Sequence, residues 1–193
     1  MEDNDKNIGV IGLKTKDIVL IASFSAMWTV LQIYFGPIVG RFSIGPLSFH
    51  GSVNRIVGWL LMTVLAEQTV GFGKITLMTV IAALGTRSIR GNILEGIIVG
   101  IGYAFGGLIF DALINLKSQR GRGFYILVSI VSGLAASIPY IASKIYFLGF
   151  PGFIMASPVY IFSIAKGVFF SILGSSLGSG VNASLKYLKK AYG

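Results

Sequence analysis

Cysteine is absent from this 193-residue chain, which removes disulfides, thiolate catalysis and cysteine-held metals at one stroke. Charge is scarce as well: 12% of residues are Asp, Glu, Lys or Arg, about half the roughly 25% that a soluble domain carries. Its outer surface must therefore face something other than water. There is one histidine, His50, and it has no HExxH partner, so a zinc site is not expected. A serine–histidine pair is not expected either, because His50 lies outside the long apolar stretches while Ser175 and Ser176 lie deep within one. Gly71, Gly73 and Lys74 look like the end of a phosphate loop. Ile75, however, stands where such a loop needs Ser or Thr, so the chain has no ATP site of its own. The expectation is a protein that is not an enzyme and holds no cofactor and no metal.

Acidic residues number 7 against 16 Lys and Arg, a net charge of +9. In a soluble protein that excess would point to nucleic acid, but no polar segment interleaves basic and aromatic residues, so no nucleic-acid partner is expected. What is abundant is apolar: 54% of the residues are hydrophobic, gathered into long runs with the charges between them, the pattern of membrane spans joined by short loops. Residues 18–35, 93–116, 124–147 and 159–185 read as spans. Residues 53–66 and 75–85 are shorter and read either as two short crossings or as a hairpin that enters and returns. Two crossings are preferred, giving an all-α, six-helix transmembrane bundle. The first sixteen residues are acidic and then basic, and the apolar stretch after them continues as a full span rather than as a cleavable signal. Residues 1–17 thus read as a cytoplasmic tail, 18–185 as one membrane domain and 186–193 as a basic cytoplasmic tail.

Orientation follows from the basic residues. The side bearing the N-terminus holds Lys6, Lys14, Lys16, Lys74, Lys117, Arg120, Arg122, Lys186, Lys189 and Lys190, whereas the other side holds only Arg41, Arg55, Arg87, Arg90 and Lys144. Both termini are therefore expected in the cytoplasm of a multi-pass cell-membrane protein.

Small residues recur at four-residue spacing: Ala22 with Ala26, Gly96 with Gly100, Gly102 with Gly106, and Gly174 with Gly178. Such pairs let helix backbones approach closely, mostly for packing within the chain. Ionisable residues at membrane depth ask for more, because each is costly unless paired or hydrated. Arg55, Arg87, Asn92, Glu95, Tyr140, Lys144, Tyr160 and Lys166 all fall in the outer half of the six-span arrangement and form the candidate binding set. Snorkelling to the headgroups accounts for Arg41, Arg87 and Arg90. It fits Lys166 poorly, since Ile164, Ala165, Gly167 and Val168 surround it in sequence. Glu95 is a candidate partner for it. The positive balance of this set favours a ligand with a carboxylate or phosphate.

The segment 36–52 is punctuated by Gly and Pro yet strongly apolar, so it is expected to fold back over the bundle as a lid. With this loop, the size and the six spans, the chain resembles the substrate-binding S-components of energy-coupling factor vitamin transporters. The most specific match is Ala22, Ser23, Phe24, Ser25 and Ala26, which looks like that family's Ala-xxx-Ala motif in the first helix. The missing ATP site also fits. The resemblance implies capture of a micronutrient from outside and docking on a transmembrane coupling subunit through Ala22 and Ala26. It further implies uptake driven by separate ATPase subunits, with the membrane lipid as the constant neighbour. A self-contained secondary transporter or channel, or a structural subunit of a membrane complex, are the rival readings. The substrate itself is not legible.

Overall fold

A computed structural model describes residues 12–41, 43–44, 47–48, 51–89, 93–117 and 120–192, with side chains for all of these except 40, 43, 44, 47, 48, 88, 89 and 93–95. Among the described residues the chain is helical apart from a two-residue antiparallel ladder, β1 (Ser43–Ile44) with β2 (Leu47–Ser48). The helices are α1 (Thr15–Gly40), α2 (Ser52–Gln68), α3 (Lys74–Ile89), α4 (Ile93–Ile114), α5 (Arg122–Ala135) and α6 (Ile138–Tyr192). Among the described residues three stretches are long and apolar enough to cross a membrane: Thr15–Val39, Gly96–Ile114 and the run Arg122–Tyr192.

The surface is the clearest sign of the medium. Along α1 the buried side chains are those of Asp17, Ile21, Ser25, Trp28 and Gln32, a helical stripe that is mostly polar. The opposite face shows Val19, Met27, Val30 and Tyr34 to the outside. The same inversion holds elsewhere: Thr63, Thr79, Thr86, Ser129, Ser132 and Ser175 are fully buried, while Leu84, Leu127, Ile161 and Phe169 are exposed. Polar groups inside and continuous apolar side chains outside suit a bilayer, where the inward hydroxyls bond between helices.

Those hydroxyls do so here. Ser25 Oγ donates to the Met78 carbonyl at 3.0 Å and Thr86 Oγ1 to Gln32 Oε1 at 2.7 Å, tying α1 to α3. Trp59 Nε1 donates to Ser132 Oγ at 2.9 Å, and Ser129 Oγ donates to Ser175 Oγ, which lies 2.7 Å from Thr63 Oγ1. Together these join α2, α5 and α6. Trp28, Trp59, Met62, Leu65, Met78 and Phe110 fill the apolar core beside them.

The small-residue pairs serve this packing, each in its own way. A Cβ on Gly174 would stand 2.3 Å from the Ile56 carbonyl oxygen, and one on Gly178 would stand 2.7 Å from that of Leu60. Here α6 and α2 touch backbone to backbone. Gly102 and Gly106 make the same room for Ala136. Gly96 and Gly100 instead leave a groove across α4 for the Arg87 side chain, whose Cδ would lie 3.1 Å from a Cβ on Gly96. Ala22 and Ala26 face outward, away from the other helices.

Three boundaries differ from the sequence reading. First, α1 runs through Gly36 and Pro37 to Gly40, so the connecting segment starts later than residue 36. Much of that segment lies outside the described residues, and so does its expected role as a lid. Second, residues 124–147 do not form one helix: α5 stops at Ala135 and α6 starts at Ile138. Pro139 then falls in the first turn of α6, where its missing N–H costs nothing. Third, α6 is not straight. Gly149 has φ 67° and ψ 166°, outside helical geometry, a backbone setting open to glycine. The rings of Tyr140 and Tyr160 are 6.1 Å apart, although twenty residues of straight helix would separate them by about 30 Å. The chain therefore doubles back at Gly149 into a short outgoing arm and a long returning arm. That returning arm continues helical to Tyr192, so Lys186, Lys189 and Lys190 belong to it.

Candidate functional site

Two helices are short for their company. At about 1.5 Å per residue, α2 and α3 reach about 25 Å, against about 39 Å for α1 and about 33 Å for α4. Both nonetheless run the same distance between two distinct layers of polar residues. At the lower layer, where α1 begins and α6 ends, Lys74 of α3 meets Asp17 of α1, and Glu67 of α2 meets Lys186 of α6. At the upper layer, Arg55 of α2 meets the end of α5 and Arg87 of α3 lies across α4. The two helices are thus antiparallel, and each packs mainly on other helices, α2 on α6 and α3 on α4.

Where α2 and α3 stop short, the taller helices enclose a cavity of about 430 Å³. Its wall takes Ser52, Asn54 and Arg55 from the first turn of α2, Arg87 from the last turn of α3, Gln32 from α1 and Tyr103 from α4. Tyr140, Ser163, Lys166 and Phe170 of α6 complete it. The polar groups are not spread evenly. Arg55, Arg87 and Lys166 bring three cations to one chamber, and no described carboxylate lines it.

Arg55 has a structural task as well. Its guanidinium donates to the Gly133 carbonyl at 2.9 Å and to Ser137 Oγ at 3.1 Å, serving the C-terminal end of α5, where a cation is favoured. It also lies 5.4 Å over the Trp59 ring, and Gly167 leaves the room for it. Lys166 shares the chamber with it. Two like charges on one wall are stabilised best by an anion between them.

Ser52 and Asn54 carry the second signal. Both are buried, and Ser52 Oγ and Asn54 Oδ1 find no hydrogen-bond partner. A buried polar atom left without a partner costs about 1–3 kcal/mol. These two line the cavity at the N-terminus of α2, where the first backbone N–H groups also have no intrahelical acceptor. A polar ligand would satisfy all of them at once.

Of the candidate binding set, Arg55, Arg87, Tyr140 and Lys166 line the cavity. Lys144 and Tyr160 stand beside it rather than on its wall. Lys144 Nζ lies 5.2 Å over the Tyr140 ring, and Tyr160 stacks on Phe153 and meets Tyr140 edge-on. Asn92 lies outside the described residues, as does the side chain of Glu95, so the suggested Glu95–Lys166 pairing falls there too. His50 is likewise outside them. Ser52, Gln32 and Tyr103 were not anticipated. For Gln32 a signal existed, since it is a lone amide in an otherwise apolar first span.

The lower layer looks different. Asp111, fully buried, accepts at Oδ2 from Gly73 N at 2.9 Å, Thr76 N at 3.0 Å and Thr76 Oγ1 at 2.9 Å. The glycine turn that looks like a phosphate loop is therefore an anion site filled by the chain's own carboxylate. Asp17 and Lys74 pair at 2.5 Å with their side chains almost wholly buried. Compared with protein-family models, with curated proteins and with solved structures, the chain matches none of them.

Proposed function

We propose that the chain is a membrane-embedded binding subunit that captures a small anionic micronutrient in the cavity above α2 and α3. The observation that carries this reading is a single chamber lined by Arg55, Arg87 and Lys166, with two buried oxygens, of Ser52 and Asn54, lacking partners. A carboxylate or phosphate answers the cations, and a hydroxyl or amide N–H on the same molecule answers Asn54 Oδ1. Phe170, Ile98 and Val99 offer the rest of the ligand an apolar wall, the usual make-up of a small-molecule site.

In this reading the helices form six crossings, the outgoing arm of α6 continuing the path of α5. Both termini lie in the cytoplasm, as the basic-residue asymmetry requires, and the cavity opens to the outside. The chain works as the S-component of an energy-coupling factor transporter, docked on a coupling subunit through Ala22 and Ala26 and powered by separate ATPases. The outward exposure of both alanines supports that docking face.

The first test is mass spectrometry of small molecules released from the purified protein. A bound vitamin-like anion is expected, and a protein that carries and binds none would sink the reading. Lys166→Met is the sharper variant, because Arg55 also holds α5. It should weaken binding by about tenfold or more, the value of one charge-assisted contact. Ala22→Trp should leave binding intact and abolish uptake by the assembled transporter. Lost binding instead would make the pair an internal packing element.

A further inference from the structure

A second cavity, of about 340 Å³, opens at the lower layer between α2, α5 and the returning arm of α6. Arg120, Arg122, Lys186, Glu67, Tyr125 and Asn182 line it. Its one carboxylate is already answered: Lys186 Nζ lies 2.6 Å from Glu67 Oε2, and the Tyr125 hydroxyl donates to Glu67 Oε1. Arg120 donates to the Ala66 carbonyl at the end of α2. Arg122 makes no hydrogen bond or ion pair among the described residues and is exposed at the start of α5. Three cations thus face one neutralised carboxylate, and the surplus is positive.

Asn182 supplies an independent observation. It is 4% exposed, and its Nδ2 donates to the Thr63 carbonyl at 3.1 Å. That bond occupies the amide nitrogen and leaves the buried Oδ1, on a residue that lines the cavity, with no partner. An acceptor buried beside a cationic rim asks for a ligand with two features: an anionic phosphate for the arginines and, next to it, an O–H or N–H donor for Asn182.

We infer that this cavity holds the phosphate of an anionic membrane lipid whose headgroup carries a hydroxyl, a phosphatidylglycerol-type lipid. The place favours a lipid over a soluble phosphate, because the cavity lies where the apolar exterior of α5 (Leu127, Val131, Leu134) and of α6 (Leu173, Leu177, Val181) gives way to charged residues, the composition expected at headgroup level. Basic pockets between membrane helices bind headgroups in this way. The inference uses neither the upper cavity nor the identity of its ligand.

Native mass spectrometry of the full chain, delipidated in detergent and titrated with single lipids, tests it. Phosphatidylglycerol should bind about tenfold more tightly than phosphatidylcholine, which has the phosphate without net charge or donor. Phosphatidylmethanol, anionic but without a donor, should fall between them. Arg122→Gln, a change at an exposed residue without contacts, should weaken phosphatidylglycerol about fivefold and leave phosphatidylcholine unaffected. Equal binding of phosphatidylglycerol and phosphatidylcholine, or an unaltered Arg122→Gln protein, would overturn the site. Equal binding of phosphatidylmethanol and phosphatidylglycerol would overturn the part given to Asn182. Displacement of the lipid by millimolar inorganic phosphate would overturn the lipid assignment in favour of a soluble anion.

Discussion

The two polar layers of this bundle are built from similar residues and solve opposite problems. In the lower layer each described carboxylate has a partner inside the chain: Asp17 has Lys74, Asp111 has the first turn of α3, and Glu67 has Lys186 and Tyr125. In the upper layer three cations line a chamber without a described carboxylate, and two buried oxygens are unsatisfied. The lower layer has spent its carboxylates on holding helices together. The other gathers cations around a cavity and leaves the oxygens of Ser52 and Asn54 buried without partners.

That contrast can be broken first where the lower layer is strongest. Lys74→Met leaves Asp17 buried with only the Lys14 backbone N–H to answer it, which should cost about 3–5 kcal/mol, read as a fall in unfolding midpoint in detergent. The double variant Asp17→Asn with Lys74→Met removes both charges and should regain most of that loss. A Lys74→Met protein as stable as wild type would mean that the lower layer is not a closed lock.

Asp111→Ala comes next. It strips three hydrogen bonds from Gly73 and Thr76 at the start of α3 and should cost about 1–3 kcal/mol for donors left buried. It also empties an anion site that the fold had filled. Added acetate or phosphate should restore part of the lost stability in the variant and do nothing for wild type.

Packing between the layers gives a smaller effect with a built-in control. Gly174→Ala pushes a methyl group into the Ile56 carbonyl, whereas a Cβ at Gly180 meets nothing within 4 Å. The first should lose about 1–3 kcal/mol and the second almost nothing. Equal behaviour of the two would mean that α6 does not rest on α2 as described.

Much of this was legible in the sequence, and the failures have physical causes. The long apolar runs announced α1 and α4 because a bilayer-spanning helix must be apolar over its whole length. Segments 53–66 and 75–85 read weakly because α2 and α3 are short, and their shortness is what leaves room for the cavity above them. The softest part of the pattern was thus the part nearest the candidate site. The break after Ala135 could have been read from Pro139, and the reversal at Gly149 from Gly149 with Pro151 two residues on. Hydropathy over 124–147 concealed the first, because both sides of the break are equally apolar. Lys166 stood out in the sequence because a charge in an apolar run has no other explanation, whereas Ser52 did not, since a serine beside a loop is ordinary. Only the absence of a partner for its hydroxyl marks it.

Ser52→Ala is therefore the smallest perturbation and the most pointed one. In the lower layer, removing a polar group strands its partner and stability falls. Ser52 Oγ has no partner to strand, so losing the hydroxyl should leave the ligand-free unfolding midpoint within about 0.5 kcal/mol of wild type, or raise it. Lys166→Met removes a cation from the chamber it shares with Arg55. Both variants should lose most of the stabilisation that ligand gives the wild-type protein, because ligand that binds only the folded state raises the midpoint in proportion to its affinity. A Ser52→Ala protein that is destabilised without ligand yet stabilised by it as fully as wild type would place the hydroxyl in the scaffold. The upper layer would then be another lock, like the lower one, and not a site held open.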